Sequence, residues 1–174
     1  LGMIPLGIAS ATTVFIPVVI GIICLNDFKY SVVLGFAFGL VSLIRSLSPT
    51  GFLDPFFINP IISVVPRVIM AILTHLFYNL LLKCFNKAKY KYEICASLSG
   101  GIAALTNTIF TISILLLVHF PEISAELTNS SSNIGLFIKA IVLTNMLPEI
   151  ILGMIVSFVV IKIYNKIGYL KEDK

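Results

Sequence analysis

The chain has 174 residues, 58% of them hydrophobic and only 11% charged, against roughly 25% charged in an average soluble domain. With a mean hydropathy of +1.06, this composition excludes an ordinary water-soluble domain and points to an all-α integral membrane protein, a single bundle over residues 1–174. The formal charge of +4 does not indicate nucleic acid, because the basic residues lie beside hydrophobic runs and suit a topological role.

The sequence opens LGMIPLG, with neither an initiator methionine nor the charged n-region of a signal peptide, and is expected to be a fragment whose start is missing. Hydropathy, punctuated by Gly, Pro and polar clusters, predicts spans over residues 8–25, 30–47, 61–85, 93–118 and 134–164. The last is long enough to hold a tilted or broken helix, and Thr144-Asn-Met-Leu-Pro-Glu149 interrupts it with polar residues and a proline.

Lys83, Lys87, Lys89 and Lys91 crowd the third connection, and Lys162, Lys166, Lys171 and Lys174 crowd the C-terminus, so both are expected to be cytoplasmic. Residues 119–133 hold no Lys or Arg and fall outside, as do residues 48–60; Asn129-Ser-Ser131 matches a glycosylation acceptor pattern by chance. Parity leaves Arg45, Arg67 and Lys139 in the outward half.

Those cations need a separate account. Arg45 and Lys139 can snorkel to the outer interface. Arg67 follows DPFFINPIISVVP, about two helical turns below the Asn59-Pro60 break, too deep to reach headgroups comfortably. Pairing with Asp54 or Glu149 is one reading of it, and a functional cation facing a cavity is the favoured one. Asn107, Asn145 and Glu149 lie mid-span and are read as facing the same cavity, with Asn59 at its rim; Thr106 and Thr108 serve equally well as interhelical hydrogen-bonding groups.

Gly35-Phe-Ala-Phe-Gly39 is a GxxxG that lets another backbone approach, either a neighbouring helix or another subunit. Cys24, Cys84 and Cys95 form no CxxC, and His75 and His119 have no metal-ligand spacing, so no disulfide, metal or cofactor is expected. There is no GxxxxGK[ST] loop, HExxH or GxSxG, which argues against an enzyme and for binding or passage of a solute.

Taken in order, IPLGIASATTVFIPVVIGIICL, GFAFGLVSLIRS, DPFFINPIISVVPR, GGIAALTNTIF and TNMLPEIILG resemble the substrate-binding S component of an energy-coupling factor (ECF) vitamin transporter, over nearly the whole chain. The resemblance implies a six-helix transmembrane bundle in a bacterial cell membrane, its first helix largely missing here, that captures a vitamin in an outward pocket. It also implies partners: a transmembrane scaffold subunit and two cytosolic ATPases that supply the energy. An AxxxA-type scaffold contact is absent with the first helix, so scaffold contact through Gly35 and Gly39 rests on small-residue spacing.

In this frame Asp54 to Pro60 closes over the pocket, and Arg67, Asn107, Asn145, Glu149, Arg45 and Asn59 bind the substrate. The combination IPLG, FIPVVIG, SLIRS and LTNT is nearest to members assigned to pantothenate; folate, riboflavin and a queuosine precursor are the other candidates. The competing expectations are an autonomous secondary carrier or channel for a small organic anion, with Arg67 and Glu149 as a relay, and a structural subunit in which they fix helix register.

Overall fold

The computed structural model describes residues 3–6, 9–12, 14–48, 54–129 and 134–167. Lys171 and Lys174, the Asp54 side chain and Ser130-Ser131 lie outside what is described. Two short strands, β1 (Met3–Leu6) and β2 (Ala9–Thr12), pair antiparallel, with Met3 opposite Thr12 and Leu6 opposite Ala9. Helices follow from Phe15 onward.

Helix α1 covers Phe15–Leu25, later than the start expected at residue 8. Pro17 accounts for the difference. In a helix begun at residue 8 it would lie in the interior and clash with the carbonyl four residues before it, whereas in the first turn its missing N–H costs nothing. At about 1.5 Å per residue α1 is only about 16 Å long, too short to cross a hydrocarbon core of about 30 Å. It ends at Asn26, whose left-handed conformation (φ 43°) directs its N–H back to the Ile22 carbonyl.

Helix α2 (Phe28–Ser46) starts at Asp27, whose carboxylate accepts the Lys29 and Tyr30 N–H groups at 2.7 and 3.3 Å. A 3₁₀ turn, Asp54–Ile58, leads into α3 (Pro60–Cys84), where Asn59 caps the Ile61 N–H at 3.0 Å and Pro60 takes the first helical position. Helix α4 (Lys91–Asn129) breaks at His119 (φ −124°, ψ 29°), two residues before Pro121. The break falls where the fourth span was expected to end, but the chain beyond it is helical to Asn129, not a loop as the sequence suggested. Proline explains both, since it stops one helix and fits the first turn of the next.

Helix α5 (Ile134–Ile141), a π turn (Val142–Met146) and α6 (Leu147–Ile167) run on as one apolar stretch. The expected interruption is therefore a local unwinding. Pro148 has no N–H to offer the Thr144 carbonyl, and the turn widens so that the Leu147 N–H bonds the Val142 carbonyl.

Among the described residues, four helices are long and apolar enough to cross a membrane: Phe28–Ser46, Pro60–Cys84, Lys91–Ala125 and Ile134–Ile167. Neighbours pack antiparallel, α2 on α3, α3 on α4 and α4 on α6, while α1 touches all four through the face that carries Phe15, Ile16, Val19, Ile22 and Ile23. Small residues set two of the crossings. A Cβ on Gly35 would lie 2.6 Å from the Ala71 Cβ, and one on Gly39 2.7 Å from the Val64 Cα. Gly100 and Gly153 meet backbone to backbone, a Cβ on Gly153 coming 2.7 Å from the Gly100 carbonyl oxygen. Of the two partners expected for Gly35 and Gly39, a neighbouring helix or another subunit, the structure shows the neighbouring helix: α3 packs on both.

Candidate functional site

Arg67 lies on α3 one residue after Pro66, and only 7% of it is exposed. Pro66 interrupts the helical ladder and leaves the Ile62 carbonyl without its usual donor. Arg67 supplies a replacement, its Nη1 donating to Ile62 O at 2.9 Å. The guanidinium carbon lies 5.1 Å from the ring centre of Phe57 in the 3₁₀ turn and 5.8 Å from that of Phe38 on α2, both within cation–π range. The turn just before α3 and a separate helix, α2, thereby both approach one cation. The 3₁₀ turn is itself held down by the Ser63 hydroxyl, which donates to the Phe57 carbonyl.

Glu149 is 4% exposed in the first turn of α6, and its charge acts on the Arg67 guanidinium. The two residues expected to face one cavity are thus electrostatic neighbours although they are remote in sequence. The α4–α6 crossing sets the relative heights of Asn107 and Asn145. With Gly100 against Gly153 in an antiparallel pair, a step of about two turns along each helix brings Asn107 level with Asn145 and Met146 in the π turn.

Asn107 is 6% exposed, and Asn145 is half-buried. The amide oxygens of both, the Thr111 hydroxyl and Arg67 Nε are buried atoms that make no hydrogen bond among the described residues. A buried polar group without a partner costs about 1–3 kcal/mol, so each of these atoms is a candidate to meet a bound group; His75 Nδ1, Ser99 Oγ and Ser157 Oγ are likewise without a partner among the described residues. Thr106, by contrast, is satisfied along its own helix, donating to the Ile102 and Ala103 carbonyls at 2.8 and 3.1 Å. The π turn suits this region, since such turns recur at functional sites.

Other expected site residues sit differently. Asn59 spends its side-chain oxygen on the Ile61 N–H, a capping role. Arg45 is half-buried in the last turn of α2, about 10 Å along the helix from Phe38, where its charge favours the helix C-terminus. Lys139 is exposed on α5. His75 is buried beside Asn79 at 3.2 Å, and His119 lies 3.6 Å from Glu122 with its ring tilted against Phe56, centres 5.1 Å apart. Among the described residues no three His, Cys, Asp or Glu side chains are grouped to hold a metal ion.

Sequence reasoning missed Phe38, Phe57 and Thr111. Phe38 carried a usable signal, since it sits three residues after Gly35 on the glycine face that α3 was free to cover. Thr111 repeats Asn107 one helical turn on.

The candidate residues comprise a cation set against two aromatic rings, a carboxylate whose charge acts on it, and two unpartnered amide oxygens in α4 and the π turn. They can receive an acidic or acceptor-rich group at Arg67 and hydroxyl or amide donors at Asn107 and Asn145. Compared with protein-family models and with curated proteins, the chain matches none.

Proposed function

We propose that this chain is a membrane-embedded binding protein for a small carboxylate-bearing micronutrient, of the kind found in ECF transporters as S components, and that pantothenate is its ligand. Arg67 carries the reading: a buried guanidinium within cation–π range of Phe38 and Phe57, with its Nε uncommitted among the described residues. Pantothenate has one carboxylate for this cation, and its hydroxyl and amide N–H groups match the amide oxygens of Asn107 and Asn145. In this proposal the helices belong to a six-helix bundle in a bacterial cell membrane, the Lys-rich end is cytoplasmic, and the 3₁₀ turn covers an outward-facing site. A scaffold subunit and two ATPases complete the transporter, and this chain binds its ligand without transforming it.

Mass spectrometry of small molecules extracted from freshly purified protein names the ligand directly. Pantothenate at a hundred times its dissociation constant should add about 2.7 kcal/mol to the native state in a thermal-shift titration. No response to any compound of a full vitamin panel would overturn the binding reading, and uptake by the chain alone in proteoliposomes under an applied gradient would favour the carrier.

The structural-subunit reading has one specific observation behind it, the Arg67 to Ile62 hydrogen bond, which gives the cation a role in helix repair with no ligand. The two roles use different nitrogens and are separable by mutation.

A further inference from the structure

At the Lys-rich end of the bundle, Tyr90, Glu93, Lys162, Asn165 and Lys166 line an open cleft of about 280 Å³ between the start of α4 and the end of α6. Its floor is fixed: Asn165 donates to the Glu93 carboxylate at 3.0 Å and ties the two helix ends together. Lys162 and Lys166 stand four residues apart on one face of α6, exposed, where like charges at this spacing repel in the absence of a counter-charge. Lys89 and Lys91 lie nearby in sequence to Tyr90, their ammonium groups 5.8 and 5.5 Å from the rings of Tyr90 and Tyr92. The carboxylate lining the cleft, Glu93, is buried and already accepts the Asn165 amide.

Below the cleft, the exposed face of α6 continues as Ile151, Ile155, Val159 and Ile163, an apolar stripe at helical spacing that runs up to the two lysines. A ligand that matches both parts carries an anionic headgroup and long hydrocarbon chains. From this juxtaposition we infer that the cleft holds an anionic glycerophospholipid, its phosphate received by Lys162 and Lys166 and its acyl chains lying along the Ile151 to Ile163 stripe. The Tyr90 hydroxyl is a further donor at the headgroup level. The inference rests on the membrane location in the proposed function and is independent of the vitamin.

The test is native mass spectrometry of the full chain in detergent, titrated with palmitoyl-oleoyl phosphatidylglycerol, with the phosphatidylcholine of the same chains, or with inorganic phosphate. A retained phosphatidylglycerol adduct is expected, with weaker phosphatidylcholine binding and no competition from phosphate. In Lys162→Gln/Lys166→Gln the phosphatidylglycerol affinity should fall at least tenfold, since each lysine near an anionic surface contributes about a factor of five. Lys162→Arg/Lys166→Arg should restore it. Lys83→Gln/Lys87→Gln removes equal charge outside the cleft and should leave affinity within about twofold. Equal losses in the two Gln pairs would reduce the effect to bulk charge and overturn the site, as would an unchanged affinity in Lys162→Gln/Lys166→Gln. Phosphate that displaces the lipid would make it a free-anion site. Failure to retain phosphatidylglycerol would overturn the lipid site and leave the membrane reading standing, since that rests on the four apolar helices.

Discussion

Arg67 donates from Nη1 to the carbonyl oxygen of Ile62, 2.9 Å away, the acceptor that Pro66 leaves without its helical donor. The Pro-Arg pair is thus a self-contained repair in which the proline opens the ladder and the next residue closes it with a side chain. Because guanidinium has five N–H donors in a planar fork, this bond leaves others available.

The energy of this repair is shared between the two positions. Pro66→Ala returns an N–H to the Ile62 carbonyl, so Arg67→Met should be less destabilising in that background than in the parent. A coupling of about 1–2 kcal/mol is expected from a double-mutant cycle on unfolding in mixed micelles. Additivity within about 0.5 kcal/mol would show that Arg67 does not compensate for Pro66.

Ligand binding makes a different demand on the same side chain. Arg67→Lys keeps the charge but loses the fork that grips a carboxylate through two hydrogen bonds, so pantothenate affinity should fall about ten- to a hundredfold in calorimetry. Arg67→Met should weaken it further. The amide analogue of the ligand should lose much of the difference between parent and variant. Binding by Arg67→Met within about twofold of the parent would restrict Arg67 to the Ile62 repair.

The buried amides of Asn107 and Asn145 separate binding from folding. Replacing either with Leu removes an oxygen that makes no hydrogen bond among the described residues, so the change should leave stability level or higher. Pantothenate binding should nonetheless weaken at least fivefold, as expected for loss of a hydrogen bond of about 1 kcal/mol. Variants that unfold more easily but bind normally would assign these amides to helix packing.

Gly100 and Gly21 form a matched pair for testing the crossings. At Gly100 a Cβ would run into the Gly153 carbonyl oxygen, a backbone atom, whereas at Gly21 it would meet the end of the Leu34 side chain at 3.0 Å. Gly100→Ala should therefore cost about 1–3 kcal/mol by forcing α4 and α6 apart, and Gly21→Ala should be nearly neutral after Leu34 shifts. Thermal unfolding in detergent compares them, and equal losses would remove the distinction between the two contacts.

Local chemistry made much of this protein legible in advance. Four of the expected hydrophobic spans correspond to the helices long and apolar enough to cross a membrane, because hydropathy is a sum over neighbours in sequence. The breaks at Asn59-Pro60 and around Thr144 to Glu149 were legible for the same kind of reason: a proline removes a donor wherever the chain is later placed. What α3 does with Gly35 and Gly39, which rings enclose Arg67, and that Asn107 comes level with Asn145 depend instead on the register of helix crossings, set by small residues in two segments at once. The sequence marked Arg67 as costly to bury and Pro66 as a break; tertiary structure set Phe38 of α2 against its guanidinium, since only packing brings a separate helix within cation–π range.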